Sequence, residues 1–415
     1  MPAIHVIGTM DSKGRELAFI AERIRAAGGV AVLVDVGTKD APTATPDITR
    51  DTIADAHPRG RAAVLGLTDR GQAVAAMAEA LAVWLRRRHD SGDVSGAIGI
   101  GGTGGTALIA PALRGLPIGV PKLLVSTVAS GNTAAYVGAS DLVLLPAVVD
   151  VAGLNQVSRQ ILGNAAHAIS GMVANRQTSS GGKPTLGLTM FGVTTPCVTA
   201  VRERLEADGY DCLVFHATGT GGRAMEQLVA DGLIGGVLDL TTTEVADVIA
   251  GGIFPAGPAR FDVIIEKRIP YVMSLGALDM VNFGARDSVP VKYAQRLLHV
   301  HNPQITLMRT TIDENRACAR FIAAKLNRAQ APVELLLPEK STSLLSEAGK
   351  PFHDPAADAA LIDELTKHLS NPHIRITRLP LNLNDPAFAA AAVAAFQRVV
   401  EDRQPLPQRP QRAQR

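Results

Sequence analysis

The stretch Val94–Asn132 reads VSGAIGIGGTGGTALIAPALRGLPIGVPKLLVSTVASGN and shows most directly how the chain is built. Val94–Ile100 is a short apolar run that predicts a buried strand, and it leads into the turn Gly101–Thr106. A helix-like apolar segment follows, and a second buried strand, Lys122–Thr127, runs into the loop Ser126–Asn132. Strands that alternate with helices in this way are typical of an α/β protein with a parallel sheet.

The loops that follow these two strands have the composition of a phosphate-binding site. Glycine has no Cβ, so backbone N–H groups can approach an anion closely, and a helix start adds a favourable dipole. The predicted phosphate-binding residues are Gly101, Gly102, Thr103, Gly104, Gly105, Thr106, Ser126, Thr127, Ser130, Gly131 and Asn132. The alternative is that both loops are ordinary tight turns in a chain that contains 39 glycines.

This stretch carries at most a weak match to the known nucleotide-binding motifs. Gly99, Gly101 and Gly104 match G-x-G-x-x-G, but the match is weak because that fingerprint belongs at the first strand–helix turn of its unit. Here it comes long after the first strand of the chain. No G-x-x-x-x-G-K-[ST] sequence occurs, which excludes a P-loop NTPase.

The beginning of the chain supplies further candidates for the same site. A predicted strand at Ala3–Ile7 runs into Gly8, Thr9, Asp11 and Lys13, of which Asp11 is either a helix N-cap or a ligand of ribose or of a metal-bound water. Asp35 ends the second predicted strand. An acid at that place either accepts hydrogen bonds from ribose hydroxyls or caps the following loop.

Composition narrows the class of protein. Of 415 residues, 47% are hydrophobic and 19% are charged, and the net charge is only +2, so nothing favours binding to nucleic acid or to an anionic membrane. The three cysteines, Cys197, Cys212 and Cys318, have no metal-ligand spacing, and no metal site is predicted. No secretion signal or membrane-spanning run is evident, so we expect a cytoplasmic protein.

The order of predicted elements indicates two domains. Strands and helices alternate up to Asn175, the pattern is lost over Arg176–Lys183, and a new strand–helix series begins at Pro184. We therefore predict an α/β protein with two Rossmann-like, doubly wound, mainly parallel-sheet domains, at 1–178 and 184–402. Residues 403–415 are predicted to be a disordered tail.

The second domain carries polar residues at the predicted ends of strands and in loops. His216–Gly222 has an anion-binding composition, and the candidate catalytic residues are Glu244, Asp279, His301 and Arg309. Glu244 or His301 could act as a general base, and Arg309 could bind a substrate carboxylate or pair internally with Asp279. We expect Gly276–Gly284, His301-Asn302 and Arg309–Thr311 to converge on one cleft, because each follows or ends a predicted buried strand and parallel strands place their carboxyl ends along one edge. Each candidate taken singly could equally be structural.

Six strings along the chain resemble a single family. They are GTMDSKG (8–14), GGTGGT (101–106), STVASGN (126–132), GALDMVNFG (276–284), HNP (301–303) and MRTT (308–311). The family comprises bacterial and fungal proteins that share the ATP-binding region of the tomato mosaic virus resistance protein. Its pattern often has Thr where this chain has Ser12 and Ser where it has Thr103, and both exchanges keep a hydroxyl.

This resemblance implies a cytoplasmic homodimer that binds ATP, with or without Mg²⁺, in its first domain. The ATP role carries over to the loops Gly8–Lys13, Gly101–Thr106 and Ser126–Asn132. We expect a nucleotide-dependent enzyme that acts on a small anionic metabolite, for example a carboxylate, at the cleft between the domains. The alternative is a non-catalytic module that senses ATP and docks a partner.

Overall fold

A computed structural model describes residues 2–177 and 182–402. The chain divides into two compact units, Met1–Ser179 (unit 1) and Ser180–Arg415 (unit 2), and each is described by itself. Part of the predicted linker, 178–181, and the predicted disordered tail, 403–415, lie outside the described residues. No described helix combines the length and the apolar content needed to cross a bilayer.

Unit 1 contains one parallel sheet with helices on both faces. Its strands are β1 Ala3–Gly8, β2 Ala31–Asp35, β3 Val94–Gly101, β4 Lys122–Ser126 and β5 Val143–Pro146. Its helices are α1 Met10–Ala26, α2 Arg50–Ala54, α3 Ala62–Leu65, α4 Arg70–Asp90, α5 Thr103–Arg114, α6 Ala134–Val137 and α7 Gln156–Ala174. The strand order is β2-β1-β3-β4-β5, and all neighbours are parallel.

Apolar side chains of unit 1 form a core on each face of this sheet. Leu81 and Trp84 of α4 pack with Leu108 of α5 on one face, and Leu17 of α1 packs with Leu162 of α7 on the other. Adjacent β1 residues point to opposite faces, as the alternation of a strand requires. Burying both faces explains why these strands are continuous apolar runs in the sequence.

Unit 2 contains a larger parallel sheet and a small antiparallel one. Its strands are β6 Thr185–Met190, β7 Asp211–His216, β8 Gly236–Thr241, β9 Tyr271–Gly276, β10 Met280–Phe283, β11 Leu298–Asn302, β12 Ile305–Arg309, β13 Val333–Pro338 and β14 Ile374–Leu379. Its helices are α8 Thr195–Ala207, α9 Thr220–Ala230, α10 Glu244–Ala250, α11 Asp262–Lys267, α12 Ile312–Leu326, α13 Pro355–His368 and α14 Pro386–Glu401. The sheet orders are β14-β13-β9-β8-β6-β7 and β10-β12-β11.

The predicted fold class is confirmed, because both large sheets are parallel and carry helices on their faces. In each large sheet the first strand lies between the second and the third, as β2-β1-β3 in unit 1 and β7-β6-β8 in unit 2. The direction of winding reverses at that point. In doubly wound folds, ligands bind beside this reversal, at the carboxyl ends of the strands.

The three-stranded antiparallel sheet differs from the parallel arrangement that was expected for the strands beside Asp279, His301 and Arg309. β10 and β11 both pair antiparallel with β12. His301 and Asn302 are the last residues of β11, and Pro303 begins the hairpin turn to β12, where the Asn302 side chain accepts a hydrogen bond from Gln304 N at 2.8 Å. Asn-Pro is a strong turn signal, and it favours a hairpin rather than a strand end near a site.

We predict that Gly101→Ala destabilises unit 1. A Cβ at Gly101 would lie 2.8 Å from the backbone of both Gly105 and Thr106, so α5 could not begin where it does. Such overpacking costs about 1–3 kcal/mol and here involves backbone that cannot rotate away. Urea unfolding followed by the fluorescence of Trp84, the one tryptophan of the chain, measures the change.

The matched control for this experiment is Gly163→Ala on α7, where a Cβ would meet no atom within 4 Å. The control should be as stable as the parent or slightly more stable, because alanine favours a helix interior. A Gly101→Ala protein with the stability of the control would contradict the tight β3–α5 turn.

Candidate functional site

Two helices of unit 1 begin beside the reversal point of its sheet. Residue pairs such as Ile7 and Gly99 place β1 next to β3, and α1 and α5 start directly after these strands. Their N-cap residues, Thr9 and Gly102, make no side-chain capping hydrogen bond. The adjacent helix starts bring backbone N–H groups and two positive dipole ends to one place.

A cavity of about 530 Å³ opens at these two helix starts. Small-molecule sites usually occupy about 300–1,000 Å³, so its volume suits a metabolite or nucleotide. The lining comes from the segments that follow β1, β2 and β3 and from the start of α4: Thr9, Asp11, Ser12, Lys13, Thr38, Lys39, Asp40, Arg70, Val74, Gly102, Thr103, Gly104, Gly105 and Leu108.

The start of α5 is the most open part of this lining. Within the described chain, the backbone N–H groups of Thr103, Gly104 and Gly105 have no hydrogen-bond acceptor. A Cβ built on Gly104 would meet only the guanidinium of Arg70, at 3.7 Å. A ligand can therefore approach the backbone here, whereas the adjacent Gly101 is needed by the fold itself.

Cationic side chains surround the open helix start. Arg70 and Lys39 are exposed, and their charged groups have no hydrogen-bond or ion-pair partner in the part of the chain that the structure describes. The Nζ of Lys13 instead donates a hydrogen bond to the carbonyl of Val151. Arg70 is the first residue of α4, where a positive charge interacts unfavourably with the helix dipole. A residue that is unfavourable for the local structure is often one that serves binding.

The loop Ser126–Asn132, the other predicted half of the phosphate site, does not line the cavity. Ser126 is buried, and its hydroxyl lies 2.6 Å from that of Thr106, which fastens the end of β4 to α5. Ser130, Gly131 and Asn132 are exposed, and Asn132 accepts a hydrogen bond from Ala134 N. The loop lies one strand farther from the reversal point than Gly101–Thr106.

Asp35, which was predicted as a residue that binds ribose, is not available for that role. It is 1% exposed, and its Oδ1 accepts hydrogen bonds from Met10 N at 3.1 Å and Gly37 N at 2.8 Å. Its Oδ2 is paired with Arg50 Nε at 3.0 Å. Both carboxylate oxygens are thus used to fix the start of α1 and the turn after β2.

Sequence reasoning missed a group of cavity residues, namely Thr38, Lys39, Asp40, Arg70, Val74 and Leu108. The first three belong to the segment that follows β2. Two hydrogen bonds from Thr43 to the carbonyl of Met10, one from its amide and one from its hydroxyl, lay this segment across the start of α1.

In unit 2, Glu244 is buried and engaged by the protein itself. Its Oε1 accepts hydrogen bonds from Gly219 N at 2.7 Å and Gly222 N at 3.2 Å, at the start of α9. Its Oε2 accepts from Arg260 Nε at 2.9 Å. The glycine-rich loop His216–Gly222 therefore does bind an anion, and that anion is a carboxylate of the same chain.

Arg260 is the centre of a buried group of charges. Besides Glu244, it pairs with Asp239 at 2.8 Å and Glu226 at 2.9 Å, and Asp239 also accepts a hydrogen bond from Thr189 at 2.7 Å. Burial raises the pKa of Asp239 and of Glu226, while the charge of Arg260 lowers both. This arrangement stabilises the buried guanidinium of Arg260, whose Nε, Nη1 and Nη2 groups each contact a carboxylate.

Asp279 binds the segment that follows β13. Its carboxylate accepts hydrogen bonds from the hydroxyls of Thr342 at 2.9 Å and Ser343 at 2.7 Å. Burial raises its pKa, and the nearby charge of Arg309 lowers it. Asp279 is fully buried, so in this structure it acts as an anchor for that segment.

The carboxylate that pairs with Arg309 is Asp358, at 2.6 Å, so the predicted pairing with Asp279 is wrong. Arg309 also donates from Nε to the carbonyl of Phe352 at 2.8 Å and from Nη1 to the hydroxyl of Thr310 at 2.8 Å. Asp279 contacts the guanidinium only through its backbone carbonyl, at 3.4 Å. Sequence alone could not find Asp358, which lies on α13.

His301 does not join this group. It is exposed at the hairpin turn, while Arg309 is buried at the opposite end of β12. The expected convergence of Asp279, His301 and Arg309 on one cleft is therefore wrong, since it assumed parallel strands. Among described residues, no group of three or more His, Cys, Asp or Glu side chains is placed to hold a metal ion.

We predict that Asp358→Asn flattens the pH dependence of stability. Burial raises the pKa of the Asp358 carboxyl to about 7, more than the charge of Arg309 lowers it. The folded state then binds a proton more tightly than the unfolded chain, so this group stabilises most at low pH. Its contribution is lost as pH rises towards the folded pKa.

The measurement is urea unfolding of parent and variant at pH 5 and pH 8, followed by circular dichroism. The free energy of unfolding should fall more between these pH values in the parent than in Asp358→Asn, which has no proton to lose. Asp247, whose pKa burial also raises to about 7, is present in both proteins and cancels in the comparison. Equal changes in the two proteins would refute the assignment.

Both halves of the chain match domains of one known protein family. The N-terminal domain of the uncharacterised protein family UPF0261 matches residues 2–178, and its C-terminal domain matches residues 183–400. A UPF0261 protein of Rhizobium meliloti is 55% identical over 397 residues, which cover 95% of this chain and 98% of that protein.

A plant protein is similar over almost the same range. The ToMV resistance protein Tm-1 of Solanum lycopersicum is 48% identical over 418 residues, which cover 95% of this chain and 55% of that protein. The ToMV susceptible protein tm-1 of the same plant is 47% identical. The resemblance inferred from the sequence strings is confirmed, and the chain belongs to the uncharacterised protein family UPF0261.

Proposed function

We propose that unit 1 binds ATP in the cavity at the reversal point of its sheet. The observation that carries the proposal is the open start of α5, whose first backbone N–H groups have no acceptor in the described chain and which lines one cavity together with the start of α1. Helix N-termini bind phosphate through free N–H groups and through the helix dipole. The resemblance to a family with an ATP-binding region supports ATP as the nucleotide.

The residues of the cavity suit the separate parts of a nucleotide. Thr103, Gly104 and Gly105 offer backbone N–H groups to a phosphate, and Arg70 and Lys39 offer positive charge. Val74, which is half-buried in the lining, gives an apolar surface against which a base can pack. The expected role of Lys13 requires its ammonium to leave the carbonyl of Val151.

We propose further that ATP is sensed rather than consumed. The enzyme expected from the sequence needs reactive groups, but Glu244, Asp279 and Arg309 are all buried and bonded within unit 2. The fourth candidate, His301, is exposed at the end of β11 and does not join them. The carboxylate-binding role expected of Arg309 is filled by Asp358. An assay for ADP and phosphate release decides between the two, because steady release above the rate without protein favours the enzyme acting on a small anionic metabolite.

The cellular role is not carried over from the plant relatives. Proteins whose names denote resistance and susceptibility to the virus match at 48% and 47% identity, so similarity to them does not favour an antiviral activity. We propose a cytoplasmic homodimer on the basis of the family resemblance. Sedimentation at micromolar concentration tests the dimer, and a clean monomer would exclude it.

We predict that Gly104→Val abolishes ATP binding without unfolding the protein. The new side chain has space, since even the Cβ meets only Arg70 at 3.7 Å, but its methyl groups would stand where phosphate oxygens approach the backbone. Loss of these contacts should weaken binding by about 3 kcal/mol or more, which is over a hundredfold in the dissociation constant. Isothermal titration calorimetry measures the affinity.

Gly163→Val on α7 is the matched control, because its Cβ is likewise unobstructed and it lies outside the cavity lining. The control should bind ATP like the parent. If Gly104→Val keeps its unfolding profile and also binds ATP with parental affinity, the phosphate does not lie at the start of α5.

A further inference from the structure

The acid that ends β2 is not available to a ligand. In doubly wound nucleotide folds an acid at that place accepts hydrogen bonds from ribose hydroxyls. Here Asp35 is 1% exposed, and both its oxygens are occupied, by the amides of Met10 and Gly37 and by Arg50. If the ribose is recognised by a carboxylate, that carboxylate must be supplied elsewhere along the lining.

Asp40 is the exposed carboxylate that the same segment brings to the cavity. Its side chain has no hydrogen bond or ion pair with any residue that the structure describes, whereas Asp11 at least accepts a bond from Lys39 N at 3.3 Å. A free carboxylate repels phosphate. In a cavity that also holds Arg70, Lys39 and two helix starts, a contact between this carboxylate and a phosphorylated ligand would therefore be to an uncharged donor group.

Arg50, which is paired with the buried Asp35, holds the backbone of Asp40. Arg50 donates from Nε to Asp35 Oδ2 at 3.0 Å and from Nη2 to the carbonyl oxygen of Asp40. Arg50 thus joins the end of β2 to the residue that enters the cavity. Its own side chain is 15% exposed, so it acts from beneath the segment rather than as a ligand contact.

The sheet separates this carboxylate from the phosphate-binding groups. Asp40 follows β2, and the open N–H groups of α5 follow β3, with β1 between the two strands. A nucleotide that lies across the end of β1 would place its phosphates towards α5 and its sugar towards the segment after β2. In the Rossmann crevice the ribose lies towards the second strand in the same way, whereas the phosphates lie at the turn after the first strand; here the open N–H groups follow the third strand.

We propose that the carboxylate of Asp40 accepts hydrogen bonds from the ribose hydroxyls of the nucleotide, with Arg50 as the residue that positions it. The inference rests on the proposed nucleotide function and deepens it, since it makes the site selective for ribonucleotides. A site that bonds a hydroxyl rejects the analogue without it, because its own polar group is then left unpaired.

The test is calorimetric titration of the parent and of Asp40→Ala with ATP, 2′-deoxy-ATP, 3′-deoxy-ATP and inorganic triphosphate. The parent should bind ATP at least tenfold more tightly than one of the deoxy analogues. In Asp40→Ala the affinity for ATP should fall to that of the analogue. Affinity for inorganic triphosphate, which has no sugar, should be unchanged or increased because a negative charge has been removed.

Variants of Arg50 test the positioning role. Arg50→Ala should reduce the preference for ribose, and Arg50→Lys, which keeps a charge for Asp35, should restore part of it. Asp51→Ala is the matched control, because it removes one exposed carboxylate from the neighbouring position, where Asp51 lies 3.4 Å from Arg61. This control should keep the parental preference, and a matching loss there would overturn the inference.

The outcomes separate the two proposals. If the parent binds ATP but does not distinguish the deoxy analogues, or if the preference survives in Asp40→Ala, the role of Asp40 is wrong and ATP binding stands. If the parent binds neither ATP nor inorganic triphosphate, the nucleotide function fails and the role of Asp40 fails with it. Arg50→Ala with full preference would overturn the positioning role alone.

Discussion

A helix that begins at the carboxyl end of a parallel sheet leaves backbone N–H groups that need an acceptor. Many helices of this chain meet the requirement with a side chain at their own N-cap: Asp69 for α4, Asn155 for α7, Thr311 for α12, Asp354 for α13 and Asp385 for α14. At α9 the acceptor is Glu244, from a different element. At α5 the described chain supplies none, and this difference underlies the assignment of the site.

The buried charges of unit 2 follow from the same requirement. Burying a guanidinium is costly unless its donors are paired, and Arg260 and Arg309 are each enclosed by carboxylates and carbonyl oxygens. Removing one partner of such a pair usually costs about 3–5 kcal/mol, since a charge is left unpaired. These groups explain why polar residues gather at the strand ends of unit 2 without forming an open site.

The sequence predicted most of the fold because local patterns determine it. Apolar runs gave the parallel strands, and glycine-rich turns marked their ends, as at Gly101–Thr106. The pairing of strands was harder, since nothing local shows that β3 lies beside β1, and this adjacency brings the first loop of the chain to Gly102–Gly105. The small antiparallel sheet was missed because short apolar runs look alike in either direction.

The candidate site was predicted less completely, for reasons that involve long-range partners. A strand-end acid such as Asp35 looks the same in sequence whether its oxygens are free or are held by Arg50. Glu244, Asp279 and Arg309 resembled reactive groups for the same reason, because their partners are distant along the chain or belong to other elements. Arg70 carries a signal in the sequence, because it is a cation at the start of a helix, but this signal can be recognised only once the first residue of α4 is known.

Because the carboxylate of Glu244 occupies the start of α9, the stability of unit 2 at this place does not depend on a dissolved anion. A covalently attached anion is present at the same effective concentration whatever the metabolic state of the cell, so the stability that it gives unit 2 is constant. A dissociable anion stabilises a fold in proportion to the logarithm of its concentration above the dissociation constant. Of two similarly wound sheets, the one in unit 2 therefore carries a permanent counter-ion, whereas the ligand proposed for unit 1 would stabilise that unit only according to its concentration.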